Sequence, residues 1–224
     1  FDTVILNSII QYFPNIDYLI DVIRNAIKLI EPGGRLFLGD LRNHDLLETF
    51  RTSTEIYRSS PTETIDHLKH RIYQRILHEN ELLVSPEIFL ALQEEEARIS
   101  HVEVLFRHGD DENELTKYRY EAVLHIEGDQ PEELPVEWID WQEQEMSLEQ
   151  LETKLADGDF NVAGFFNVPN ELIQNDVLAV KLLRDDSSLD NITELARAVN
   201  DARKPAVHPN QFIEIADKLG INVE

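Results

Sequence analysis

The feature that most constrains the fold is the opening stretch, residues 1–40, FDTVILNSIIQYFPNIDYLIDVIRNAIKLIEPGGRLFLGD. FDTVILN is a nearly continuous apolar run with β-branched residues, the pattern of a strand covered on both faces. Leu19, Ile23, Ile27 and Ile30 then recur at spacings of three and four, which predicts one apolar stripe on a helix. Pro32-Gly33-Gly34 stops that helix, because proline cannot continue it and glycine takes positive φ at little cost. RLFLGDL is strand-like again. Two parallel strands joined by a helix make a right-handed βαβ unit, so the fold class is α/β.

Downstream, the apolar spacing predicts three helices. The first is NHDLLETFRTSTEIY, with Leu46, Leu47, Phe50, Ile56 and Tyr57 as its apolar side. The second covers residues 62–80 with Ile65, Leu68, Ile72 and Ile76 inward, and the third opens at Ser85-Pro86 with Phe89, Leu90 and Leu92 inward. HVEVLFRH and KYRYEAVLHI alternate as strands and are expected to form an antiparallel hairpin around the loop 109–116. Residues 128–146, acidic and proline-containing at their start, read as a linker, and 147–224 as a small α-rich tail subdomain. Trp138 and Trp141 are expected to be packing anchors.

Charge and composition exclude several function classes. With 44 acids against 20 bases the net charge is −24, which argues against nucleic acid and anionic membranes as partners. No apolar run approaches the roughly 18 residues that span a bilayer. The chain has no cysteine, hence no disulfide and no thiolate metal site, which fits a cytoplasmic location. His67 and His70 lie three apart with His78 beyond, but no further ligand completes a site, so no metal is expected. The chain opens on Phe1 inside a strand and is expected to be a segment of a longer polypeptide.

The polar group Asn7, Ser8, Gln11 and Tyr12 lies just past the first strand. It reads either as a loop that starts a helix or as a ligand rim, since open α/β sheets bind ligands outside the carboxyl ends of their strands. Asp40 and Arg42, at the end of the second strand, are expected either to pair with each other or to cap the helix after His44. Glu114, Tyr118 and Tyr120 lie on the hairpin loop and its exit.

DTVILNSIIQYFP and EPGGRLFLGDLRN resemble the N-methyltransferase domains embedded in nonribosomal peptide synthetases. HVEVLFRHGDDENELTKYRYEAVLHI resembles that family's closing hairpin, and the likeness continues more weakly through GFFNVPNELI and HPNQFIEIADKLGINV. The resemblance implies an S-adenosylmethionine-dependent enzyme with a partial Rossmann-like class I methyltransferase sheet. Residues 1–127 would supply its last four strands, the two opening runs being the fourth and fifth.

The implied reaction is methyl transfer to the α-amine of an aminoacyl thioester carried on phosphopantetheine, with the adenylation and peptidyl carrier domains as partners. Asn7, Ser8, Gln11 and Tyr12 would line the acceptor side, with Asn7 and Ser8 also touching the cofactor. Glu114, in the matched Asn113-Glu114-Leu115 run, would contact the amine; Tyr12, Asp40, Arg42, Tyr118 and Tyr120 would shape the substrate pocket. The family's glycine-rich cofactor loop is not among these residues, so the segment alone is expected to be inactive. A carbon- or oxygen-directed methyltransferase and a non-catalytic interaction module remain open as alternatives.

Overall fold

A computed structural model of the chain describes residues 1–107, 109, 111–128, 136–158, 162–185 and 188–222. The opening unit is β1 (Thr3–Asn7), α1 (Ile16–Ile27) and β2 (Gly34–Arg42), with β1 and β2 parallel. Asn15 starts α1 by accepting the Tyr18 N–H at 2.9 Å, and Leu19, Ile23, Ala26 and Ile27 form its buried face. Three helices follow: α2 (Leu47–Tyr57), α3 (Ile65–Leu77) and α4 (Glu87–Glu95). The chain then returns through β3 (Ile99–Phe106), the short α5 (Glu114–Tyr118) and β4 (Arg119–Ile126).

These strands make one sheet in the order β1-β2-β4-β3. The last strand in sequence, β4, is inserted between β2 and β3 and runs antiparallel to both. The fold class read from the sequence is therefore observed, a mixed α/β sheet compatible with part of a Rossmann-like fold. Leu36, Leu38, Leu124 and Ile126 form one sheet face, and they bury against Leu19 and Ile23 of α1 and Phe89 of α4. The β1 side is open: β1 ends the sheet, and Phe1 and Ile5 are 71% and 63% exposed.

Three readings of the periodicity need correction. In α2 the buried residues are Thr49, Phe50, Thr52 and Glu55, whereas Tyr57 is exposed. The face is polar because Arg58, Arg71 and Arg75 neutralise the buried Glu55 carboxylate at 3.1–3.4 Å, which the helix's own sequence does not reveal. Leu90 lies half exposed on α4. The hairpin's joining segment contains α5, so Tyr118 belongs to that helix rather than to the strand.

Within 128–146, residues 129–135 lie outside the described residues, while β5 (Glu137–Asp140) is a strand. It pairs in parallel with β6 (Ala163–Phe166) across the helix α6 (Leu148–Asp157), forming a second, smaller βαβ unit. Trp141 is buried there, edge-on to Phe165 and Phe212, as an anchor should be. Trp138 is 67% exposed, its ring over Gly164, where a Cβ would approach to 2.6 Å. The remaining helices are α7 (Gln174–Arg184), α8 (Ile192–Ala202) and α9 (Asn210–Leu219). Residues of α9 join the Trp141 cluster, but Leu183, Ile192 and Leu195 of α7 and α8 share a core with Ile65, Leu68 and Ile72 of α3.

Candidate functional site

The parallel strands β1 and β2 end level, Asn7 opposite Gly39. The chain leaves β1 through Ser8, whose φ of +55° turns it sharply and whose N–H donates to the Gly39 carbonyl at 3.2 Å. Gly39 is required by this close approach: a Cβ there would sit 2.2 Å from Asn7 Oδ1 and 2.6 Å from the Phe37 ring. Asn7 and Ser8 are exposed. Gln11 is buried; its Nε2 donates to the Ser8 carbonyl at 3.3 Å, and its Oε1 has no partner among the described residues. Buried acceptors are ordinarily satisfied, so this oxygen is suited to a donor that approaches the rim. Tyr12 is 72% exposed.

Beyond Gly39 the β2–β4 register slips between Leu38 and Leu41, and Asp40 takes a φ of +63° in that bulge. The buried Asp40 carboxylate accepts from Arg107 Nη1 at 2.6 Å and Arg119 Nη1 at 2.9 Å. Arg119 also donates to Glu114 Oε1 at 2.8 Å. Burial works against the Arg119 charge, but the bonds to Glu114 and Asp40 prevail and hold the guanidinium above its ordinary value.

Arg42 has different partners. Its Nη1 and Nη2 grip both oxygens of Glu79 at 3.0 and 3.1 Å, and Nη1 also reaches Glu81 at 2.9 Å. Arg51 joins on Glu79, and the Phe50 ring lies under both guanidiniums at 5.7 and 5.0 Å. Burial disfavours the Glu79 charge, but bonds from Arg42, the Glu81 N–H and Arg51 overcome it and bring its pKa to about 2. The expected pairing of Asp40 with Arg42 is thus not observed, nor does either cap the following helix. Each finds opposite charge from distant segments; Asn43 caps the turn His44–Leu46 that leads into α2, its Oδ1 accepting from the Asp45 N–H at 2.9 Å.

Tyr118 and Tyr120 are buried and engaged. Tyr120 Oη donates to the Val84 carbonyl at 2.9 Å, and Tyr118 Oη to Asp176 Oδ2 at 2.7 Å. Burial first, and then the neighbouring carboxylates, push both phenols well above their ordinary value, so both are neutral donors. Glu114 sits in the first turn of α5, begun by a capping box in which Asn113 Oδ1 accepts from Leu115 and Thr116. A crevice bounded by Arg42, Phe50, Glu114, Tyr118 and Arg119 has a volume of about 10 Å³, room for one water.

The rim thus has two flanks, tied together by the segment after α3. Leu82 N–H donates to the Gln11 carbonyl at 2.8 Å, and Val84 N–H to the Arg42 carbonyl at 2.9 Å. Arg107, Arg119, Glu79 and Glu81 escaped the sequence reading. Their one signal was position, since Arg107 and Arg119 flank the hairpin loop and must return to the same sheet end. Among the described residues no group of three or more His, Cys, Asp or Glu is placed to hold a metal, and no helix is long and apolar enough to cross a membrane.

Relatives of the chain are nonribosomal peptide synthetases. It is 40% identical over 197 residues to the chondramide synthase of Chondromyces crocatus, a match covering 85% of this chain and 5% of the synthase. The beauvericin nonribosomal cyclodepsipeptide synthetase of Beauveria bassiana is 35% identical over 198 residues, 84% of this chain and 6% of the relative. The bassianolide nonribosomal cyclodepsipeptide synthetase of the same species is 30% identical over 240 aligned residues, 100% of this chain and 8% of the relative. The chain therefore spans between 5% and 8% of the length of these relatives. No protein-family model matches it.

Proposed function

We propose that residues 1–127 are the carboxyl-terminal half of an S-adenosylmethionine-dependent methyltransferase domain acting in nonribosomal peptide synthesis. The rim is the wall that receives the α-amine of a carrier-bound aminoacyl thioester. One observation carries this reading: a parallel strand pair ends at a polar rim, under which a buried acceptor, Gln11 Oε1, has no partner among the described residues. The insertion of β4 between β2 and β3 and the similarity to nonribosomal peptide synthetases support it. Residues 147–224 form the tail of this segment, joined through 128–146. Adenylation and peptidyl carrier domains are the partners, the carrier presenting its thioester on phosphopantetheine.

The residues present fit one side of such a site. Asn7 and Ser8, exposed at the strand end, would hold S-adenosylmethionine's methyl-bearing side, while the glycine-rich loop expected to bind the rest is absent from this sequence. When bound, that group supplies an electrophilic methyl on a sulfonium sulfur. The chain's task is to align the amine: Gln11 Oε1 and Asn7 Oδ1 accept its N–H bonds, and Tyr12 covers the side chain. Alignment of two reactants is worth about 7–11 kcal/mol. The attacking amine must be neutral, and Glu114, which pairs with Arg119, is the carboxylate we assign to contact it and take its proton. Asp40, Arg42, Tyr118 and Tyr120 frame the pocket through the ion pairs and hydrogen bonds described above.

The test is methyl transfer by the full-length polypeptide from labelled S-adenosylmethionine to carrier-bound aminoacyl thioesters with free and blocked amines. Label on nitrogen of the free amine alone is the expected result. Label on the blocked acceptor would redirect the chemistry to carbon or oxygen, and no transfer to either would leave an interaction module.

A further inference from the structure

The short helix α5 carries Glu114 and leads directly into Arg119, so whatever fixes α5 fixes the closed side of the rim. Its last residue, Tyr118, packs its ring on Phe50 at 5.1 Å and is hydrogen-bonded at both its backbone and its hydroxyl. Its backbone carbonyl accepts the Asn43 N–H at 3.1 Å, and its hydroxyl donates to Asp176 at 2.7 Å. Lys117 faces the same carboxylate at 3.7 Å. Asp176 is not part of the sheet unit: it lies in the first turn of α7, in the tail. Its side chain is only 16% exposed.

The spacing along α7 places Asp176 on a packing face. Asp176, Val180, Leu183 and Arg184 stand at intervals of four, three and one, a single helical stripe. Val180 and Leu183 are buried, and Arg184 grips both oxygens of Glu48 on α2. The tail helix therefore lies along α2, and its amino end meets α5 through Asp176. An acid in a first turn also favours its own helix through the dipole. That bland role needs neither the tyrosine hydroxyl nor the burial.

We infer that Asp176 is a positioning residue: through Tyr118 and Lys117 it fixes α5, and thereby the Glu114–Arg119–Asp40 chain, so that the tail helix completes the acceptor side of the site. The inference rests on the function proposed above. It makes the tail part of the machinery that orients the acceptor rather than a spacer to the next domain.

The test uses the full-length polypeptide with Asp176→Ala, Asp176→Asn, Tyr118→Phe and the Asp176→Ala/Tyr118→Phe double variant. Asp176→Ala and Tyr118→Phe are each expected to raise KM for the aminoacyl thioester about tenfold, because a small misplacement of a positioned group is costly. KM for S-adenosylmethionine should stay unchanged. The double variant should match Asp176→Ala, since losing the carboxylate already removes the bond that Tyr118→Phe breaks, together with the Lys117 pair. Asp176→Asn, which keeps an oxygen for the Tyr118 hydroxyl, should recover most of the loss. Amide exchange in 114–118 should accelerate in Asp176→Ala. Unchanged exchange, unchanged acceptor KM, or additive losses would each overturn the inference. No methyl transfer by the unaltered polypeptide would instead sink the proposed function, and the positioning role with it. The exchange result would then still decide separately whether Asp176 holds α5.

Discussion

The two flanks of the rim are built in opposite ways. On the β4 side, Asp40, Arg42, Glu79, Arg107, Arg119 and Glu114 are locked into charge-assisted pairs, most of them largely buried. On the β1 side, Asn7, Ser8 and Tyr12 are exposed, and Gln11 offers an oxygen without a partner among the described residues. A pre-organised flank holds shape, while a flank with free polar groups is where a ligand exchanges for water. Under the proposed function, the difference gives framing to one side and binding to the other, with Glu114 the one locked group that would also meet the amine.

The largest expected effect breaks the framing flank. Asp40→Ala would leave Arg107 and Arg119 facing one another without their shared anion, at a cost of about 3–5 kcal/mol. Urea denaturation measures this, and a loss under about 1 kcal/mol would mean that the flank is not held by its charges. Next is the acid response of Glu79. Its folded pKa of about 2 lies below the usual carboxylate value, so its stabilising contribution is complete above about pH 4.3 and is lost as pH falls toward 2. The contribution is on the order of 3 kcal/mol, and Glu79→Gln should flatten that part of the stability–pH curve.

A third change sharpens the boundary between the flanks. Gly39→Ala drives a methyl into Asn7 Oδ1 and the Phe37 ring, which should cost about 1–3 kcal/mol. It should also lower methyl transfer beyond what the loss of folded protein explains, read by comparing kcat at equal folded fraction. The smallest effect belongs to the binding flank. Tyr12→Ala should move stability by less than about 0.5 kcal/mol and raise KM for the acceptor. A larger stability loss would make Tyr12 a structural residue.

How much of this was legible in the sequence follows the same division. The β1–α1–β2 unit could be read because apolar spacing marks its strands and helix, although β1, read as covered on both faces, is an edge strand with Ile5 63% exposed. The rim residues Asn7, Ser8, Gln11 and Tyr12 could be placed because they cluster at that strand's end. The charged framing could not. Whether Asp40 meets Arg42 or Arg107 depends on a bulge and a hairpin register, neither of which leaves a periodic mark. Glu55 was invisible for the same reason: its burial rests on arginines from α3 as well as its own helix. The strand β5 was hidden behind an acidic, proline-containing stretch that reads as linker. Its partner β6 lies beyond a whole helix, so only the three-dimensional pairing reveals it.

The most direct test of the central claim is the rate of labelled methyl transfer to a free-amine aminoacyl thioester by the full-length polypeptide carrying Asn7→Ala. Asn7 is exposed at the strand end beside Gly39, so stability should change by less than about 0.5 kcal/mol while kcat falls by about a hundredfold through lost alignment. An unaltered kcat with the same stability would contradict the assignment of this rim as the acceptor wall.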